Sequence, residues 1–346
     1  MRKVALITAQ FADMPLEELC RNLKEIGYGG IELACLGDHF NVREAAASVE
    51  YCDRKRALLD QYGLECKVIA GHLIGQCIGD LYDPRLDNFA PPALAGDGPA
   101  IRAWAAEEMK LLARAASNMG ISVVSFFTGS PIWRYIYSFP QATPEMIEAG
   151  YDEIVRLWSP IMDEYDKYNV RLALEVHPTE IAFDYYSTEK LFEKFQHRKT
   201  LGLTFDPSHL LWQGVNPVIF LRDFMPKVYN VHMKDLKLNL DGKGGILGSH
   251  IEFGDTRRGW NFISLGHGDV DFESIIRELN QAGYDGNISI EWEDSGMDRI
   301  YGARDALNYL KKFNFPTSDF AFDKALSSSV QGEREAQNVQ FDRSTC

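Results

Sequence analysis

Four side chains able to hold a metal ion recur down the second half of the chain, each just after a short apolar run. They are Glu175 after Arg171-Leu-Ala-Leu, Asp206 after Leu201-Gly-Leu-Thr-Phe, His232 after Val228-Tyr-Asn-Val and Glu291 after Asn287-Ile-Ser-Ile. The gaps between them are 31, 26 and 59 residues. The first two match one strand-plus-helix unit, and the third is one unit plus an insertion. One ligand at the end of each successive strand is what a single divalent cation at the mouth of a barrel requires. Three oxygen donors and one imidazole suit Mn²⁺, Co²⁺ or Mg²⁺ with positions left open for substrate oxygens. The single histidine tilts the choice away from Mg²⁺, so Mn²⁺ is the expected ion, with Co²⁺, Mg²⁺ and Zn²⁺ as alternatives.

The elements that would position these residues alternate along the chain. β-rich runs begin at Val4, Gly30, Cys66, Ile121, Val170, Leu201, Val228 and Asn287. Between them, helical periodicity covers 15–26, 101–117, 144–168, 272–282 and 303–313. Strands alternating with helices imply a parallel sheet, and eight such units imply closure into a (β/α)₈ barrel. Three segments exceed plain connections: 71–100, rich in Gly and Pro; 128–143, rich in aromatics; and 236–270, rich in Gly. They follow strands three, four and seven, so this is a TIM barrel with enlarged loops on its C-terminal face, where binding loops gather. One barrel domain is expected over 1–315. A C-terminal extension, partly disordered, is expected over 316–346. An internal echo repeats one helix-to-strand corner, Glu25-Ile-Gly-Tyr-Gly-Gly-Ile-Glu against Gln281-Ala-Gly-Tyr-Asp-Gly-Asn-Ile-Ser-Ile-Glu. It suggests that Glu32 is a further carboxylate facing the mouth.

Other residues are candidates by position. His177 is two residues beyond Glu175 and shares its face if the strand continues; it would touch substrate or support Glu175. Lys234 stands in the same relation to His232, orienting a carbonyl or carboxylate or else pairing with Asp235. His72 follows strand three. His39, His197 and His250 are expected to face solvent.

The net charge of −14 over 346 residues argues against a nucleic-acid backbone or an anionic membrane as partner. The six cysteines show no Cys-x-x-Cys pattern and read as free thiols. The N-terminus enters a strand directly and lacks signal-peptide features. No stretch approaches the ~18 apolar residues of a membrane span, so a cytoplasmic location is expected.

The motifs Leu174-Glu-Val-His-Pro, Phe205-Asp-Pro-Ser-His, Val231-His-Met-Lys-Asp, Gly266-His-Gly-Asp-Val-Asp-Phe and Ile290-Glu-Trp-Glu resemble the sugar phosphate isomerase/epimerase group of xylose-isomerase-like barrels. That group takes in ketose 3-epimerases, inositol-catabolic enzymes and, more distantly, endonuclease IV. The resemblance covers roughly residues 3–313. It implies one metal held by Glu175, Asp206, His232 and Glu291, a substrate contact from His209, and Glu175 and Glu291 as the acid/base pair. The activity so implied is isomerisation or epimerisation of a ketose, inosose or keto-sugar derivative through an enediolate. The alternative on the same first step is a lyase, dehydratase or deglycosidase acting by β-elimination on a 3-keto-glycoside.

This chain departs from the epimerases in two places. Lys234-Asp-Leu-Lys-Leu-Asn replaces the arginine that follows their histidine ligand, leaving Arg257 and Trp260 of the 236–270 insertion as candidate substrate contacts. The aromatic loop with Trp133 is long for a free monosaccharide; it would pack on a carbohydrate or aglycone, or form a homo-oligomer contact. A three-metal endonuclease would need more ligands and a basic groove. A non-catalytic binding protein would leave the paired carboxylates without a purpose. The expected partner is therefore a small carbohydrate.

Overall fold

The computed structural model describes residues 2–318 and 323. Residues 2–314 form one compact unit. Apart from 316–318 and 323, the expected C-terminal extension lies outside the described residues.

Eight parallel strands close a barrel: β1 (Val4–Ile7), β2 (Gly30–Ala34), β3 (Glu65–Ala70), β4 (Val123–Phe126), β5 (Arg171–Glu175), β6 (Leu201–Phe205), β7 (Val228–Met233) and β10 (Asn287–Ile290). Each begins within two residues of its expected start. Two further strands, β8 (Asp235–Leu238) and β9 (Trp260–Ile263), form a separate antiparallel pair inside the long insertion. β1 closes the circle by pairing with both β2 and β10.

The helices are α1 (Leu16–Ile26), α2 (Val42–Ala47), α3 (Val49–Tyr62), α4 (His72–Gly79), α5 (Gly98–Asn118), α6 (Pro144–Lys167), α7 (Tyr185–Lys194), α8 (Pro207–Leu211), α9 (Pro217–Phe224), α10 (Phe272–Gln281) and α11 (Arg299–Leu310). α1 shows how sequence makes them. Leu16, Leu19, Cys20 and Leu23 recur on one face and are all buried. Each leucine contributes about 1.5–3 kcal/mol relative to exposure. Gly27 ends the helix at φ 100°, a conformation open to glycine.

The segment 71–100 departs from the expected open loop, because α4 occupies its first part. Its glycines are there for close packing. A Cβ on Gly75 would lie 2.1 Å from the Phe127 carbonyl oxygen, and one on Gly79 would lie 2.4 Å from that of Thr128. Glycine lets α4 press onto the chain leaving β4, and this carries His72 to the barrel mouth. His39 also departs from expectation. It is fully buried, with Nε2 2.9 Å from the Met14 carbonyl oxygen. His197 and His250 are exposed as expected. The five described cysteines are free thiols.

Candidate active site

The four residues at the strand ends converge. One donor atom from each of Glu175, Asp206, His232 and Glu291 lies within 4.8 Å of the others. Local structure aims each one. Asp206 caps α8, its Oδ1 accepting from Ser208 N at 2.7 Å, which leaves Oδ2 for the centre. Glu291 Oε1 accepts from Lys234 Nζ at 3.1 Å and Gln10 Nε2 at 3.0 Å, leaving Oε2 for the centre. His232 Nε2 lies 3.1 Å from Glu32 Oε1, which leaves Nδ1 for the centre. Asp206 Oδ2, Glu291 Oε2 and His232 Nδ1 are all buried and make no well-formed hydrogen bond, although His232 Nδ1 lies 3.0 Å from Glu291 Oε2 and Asp206 Oδ2 lies 3.3 Å from His209 Nε2. Buried polar atoms are rarely left so. Three such atoms on three strand ends, facing the carboxylate of Glu175, fit a divalent ion in donor type and in need.

Glu32 does not open onto the cavity as the internal echo suggested. It is fully buried on the far side of the His232 ring. Ser289 Oγ donates to it at 2.5 Å, and Asn230 Nδ2 and Asn287 Nδ2 at 3.2 and 3.4 Å. A carboxylate accepting from Nε2 fixes the tautomer with its lone pair on Nδ1, the form a metal requires.

Around this centre the structure gathers His72, His177, His209 and Lys234. They line one cavity of about 280 Å³ together with Glu175, Glu291, Glu293 and Gln10. His72 Nε2 is 2.9 Å from Glu175 Oε2 and 3.1 Å from Ser125 Oγ. His209, one turn into α8, has Nε2 3.3 Å from Glu175 Oε1 and 3.3 Å from Asp206 Oδ2. Burial disfavours its cation, but the Asp206 charge outweighs this and pushes its pKa up to about 9. His177 lies past the end of β5, yet its ring meets that of His209 edge-on at 4.0 Å. Burial and the neighbouring His209 hold its pKa well below the ordinary histidine value. One imidazole of the pair is thus biased toward carrying a proton and the other toward staying neutral.

Lys234 is buried, but its partner is not Asp235. Its Nζ lies 3.1 Å from Glu291 Oε1 and 3.0 Å from Glu293 Oε1, and 4.3 Å from the centre of the Phe262 ring. Burial works against its charge; Glu291 and Glu293 overcome this and raise its pKa. Asp235 points elsewhere and accepts from the backbone N–H groups of Leu236, Gly266, Gly268 and Val270, tying the insertion's return to its start. Glu293 and Gln10 are site residues that sequence reasoning missed. Glu293 lies two residues past Glu291, the spacing that had singled out His177. Gln10 carries no sequence signal; pairing of β1 with β10 brings it there.

The three loop candidates sit apart from this cavity. Trp133 packs on Phe183 at 5.4 Å and lines a second cavity of about 370 Å³ beside Tyr151 and Glu180. Arg257 is exposed and paired with Asp255 at 2.6 Å. Trp260 is buried, stacked on Trp212 at 4.6 Å, and meets Phe262 at 5.3 Å. Phe262 in turn packs against His209 at 5.4 Å, so Trp260 stands one ring behind the site.

Known proteins resemble this chain at several levels. A family model described as the xylose isomerase-like TIM barrel matches residues 20–313. YfiH of Bacillus subtilis, an uncharacterized protein, is 24% identical over 335 residues, covering 90% of this chain and 98% of that protein. An inosose dehydratase of Clostridium botulinum is 33% identical over 91 residues, which is 26% of this chain and 30% of that enzyme. Among solved structures, the probable 3-DHS dehydratase AsbF of Bacillus anthracis superposes with a TM-score of 0.63 at 21% identity, covering 89% of this chain and 98% of that one. The 3-keto-D-glucoside 4-epimerase YcjR of E. coli superposes at 0.64 with 15% identity, covering 90% and 100%. The IolI protein, solved with a bound zinc atom, superposes at 0.61 with 15% identity, covering 90% and 98%. No helix among the described residues is long and apolar enough to cross a membrane.

Proposed function

This chain belongs to the xylose isomerase-like TIM barrel family, and we propose that within it the protein is a divalent-metal-dependent isomerase or epimerase of a ketose, inosose or related keto-sugar. The observation that carries this reading is the set of three buried atoms, without a well-formed hydrogen bond, converging on Glu175. Glu175, Asp206, His232 and Glu291 would hold the ion, with Mn²⁺ favoured by the donor set. When bound, it supplies Lewis acidity toward a carbonyl and its neighbouring hydroxyl.

The chain's own groups do the rest. Glu175 and Glu291 both border the cavity, so one carboxylate takes the proton α to the carbonyl and the other returns a proton to the opposite face. His209 donates to a substrate oxygen. Lys234 and Gln10 fix Glu291 Oε1, so that this carboxylate cannot swing away. His72 fixes Glu175 Oε2 in the same manner.

A second reading, β-elimination of water or an aglycone from the same enediolate, is favoured by one observation. The His177 and His209 rings meet edge-on at 4.0 Å within the cavity, with Asp206 favouring the protonated form of His209, a proton source for a departing group. The dehydratases among the similar proteins point the same way.

The test incubates Mn²⁺-loaded protein with a panel of keto-sugars, inososes and keto-glycosides in D₂O, followed by mass spectrometry. Epimerisation adds one deuterium and conserves the skeleton. Elimination removes the mass of water or of the aglycone. No deuterium and no loss in any compound would contradict both readings.

A further inference from the structure

The cavity has two unlike halves. Glu175, His177, His209, Lys234, Glu291 and Glu293 all come from the chain at or beyond the ends of β5, β6, β7 and β10. The opposite wall, from the ends of β1, β2 and β3, is mostly apolar, with Ile7, Ala34, Leu36, Ala70, Leu73 and Ile74; its polar members Gln10 and His72 are already bonded to Glu291 and Glu293 and to Glu175 and Ser125. Ile7, Ala34 and Ala70 also form one buried cluster with Ala9 and Leu36 packed on it. Phe127 adjoins this wall, its ring edge-on to His72 at 4.7 Å.

A polyol with a hydroxyl on every carbon would bury several of them against that wall. Each hydroxyl left without a partner there loses its hydrogen bonds to water with nothing in return. Charge is restricted as well. Among the described residues, Lys234 is the one Lys or Arg lining the cavity, and it already lies between Glu291 and Glu293. His209, which also borders the cavity, lies against Glu175 and Asp206. A phosphate or carboxylate on the substrate would find no unpaired side-chain cation there.

We propose that the substrate is an uncharged keto-sugar or keto-polyol carrying a hydroxyl-free substituent, and that this substituent seats on the Ile7–Ala34–Leu36–Ala70–Ile74 wall. The inference rests on the keto-sugar reading above. It adds the chemical class of the far end: alkyl or aryl, and neither phosphorylated nor carboxylated. Those wall residues are then specificity determinants, and the carboxylate–histidine half sets the reaction.

The test compares three compounds on one keto-pyranose ring: the free sugar, its phenyl glycoside and its phosphate ester. Dissociation constants are measured by calorimetry with the metal-loaded protein, and solvent-deuterium exchange is followed in parallel. The expected order is phenyl glycoside tightest, at least about tenfold below the free sugar, with the phosphate ester weakest. Ala70→Ser and Ala34→Ser, which each put a hydroxyl into the wall, should narrow the preference for the glycoside. A free sugar that binds as tightly as the glycoside overturns the inference. A phosphate ester that binds best also overturns it. Exchange reports separately on the chemistry. Absent exchange with the affinity order intact would sink the keto-sugar mechanism and leave the amphipathic cavity, whereas exchange with the order reversed would do the opposite.

Discussion

The strand ends and the long loops of this barrel carry different kinds of information. At the strand ends, four residues from four separate segments point within 4.8 Å of one another, and their remaining polar atoms are tied to Ser208, Lys234, Gln10, Glu32 and His72. In the loops, Trp133, Arg257 and Trp260 each pack on a local partner, and none lines the cavity that holds the four. A strand end is positioned by the register of the whole barrel, so a residue there is aimed by the sheet and not by the loops. A loop side chain takes whatever neighbour its own segment offers. Reaction chemistry should therefore respond sharply to strand-end substitutions and weakly to substitutions in the loops.

The largest effect is expected at the proton-transfer carboxylates. Glu175→Gln or Glu291→Gln should reduce kcat by about 10²–10⁴-fold, the usual range for losing a positioned acid or base. A melting temperature close to that of the parent would show that the loss is chemical. Next comes Glu32→Gln, which keeps the shape but weakens the hold on His232. Metal affinity, measured by competition with a chromophoric chelator, should fall about 10–100-fold. Unchanged affinity would show that His232 needs no partner to be aimed.

The third effect is on stability and concerns the second cavity. Burial, reinforced by Asp80, pushes the Glu180 pKa up to about 8, against hydrogen bonds from Thr128 and Gly129. A carboxyl protonated in the folded chain above its unfolded pKa contributes stability that is complete below ~4.5 and is lost as pH rises toward about 8. Glu180→Gln should therefore flatten the decline in unfolding free energy between pH 5 and 8, where one proton contributes up to about 1.4 kcal/mol per pH unit. Parallel curves for parent and variant would mean that Glu180 is already ionised in the folded state. The smallest effect is expected for Arg257→Ala. Its exposed pair with Asp255 is screened by solvent and contributes little, and kcat/KM should change less than about twofold. A tenfold loss would place the arginine over the substrate and break the contrast between strand ends and loops.

The same contrast explains what was legible in the sequence. Glu175, Asp206, His232 and Glu291 stood out because each follows an apolar strand at βα spacing, and a closed barrel turns that period into proximity. Gly75 and Gly79 were misleading, because glycine marks both a loose loop and a helix pressed on a neighbouring backbone. Only the contact with Phe127 and Thr128 tells which. Glu32 and Glu291 look alike at the ends of similar corners, but β2 runs on to Ala34 whereas β10 stops at Ile290. One carboxylate is thereby enclosed behind His232, and the other faces the cavity. One of the two expectations for Lys234 paired it with Asp235, its sequence neighbour. Adjacent residues in extended chain point to opposite sides, so Lys234 turned to the cavity and Asp235 to the insertion. Gln10 could not have been found, because it reaches Glu291 across the seam where the first strand meets the last.

The central claim is α-proton abstraction by the carboxylates at the strand ends. The most direct measurement is solvent-deuterium exchange into a keto-sugar that the protein binds, followed by NMR for the Mn²⁺-exchanged parent (with a diamagnetic quench), the chelator-treated parent and Glu175→Gln. The account predicts one deuterium on the carbon next to the carbonyl with the loaded parent and none in the other two. Exchange that survives both chelation and loss of Glu175, or a bound keto-sugar that the loaded parent never exchanges, would contradict it.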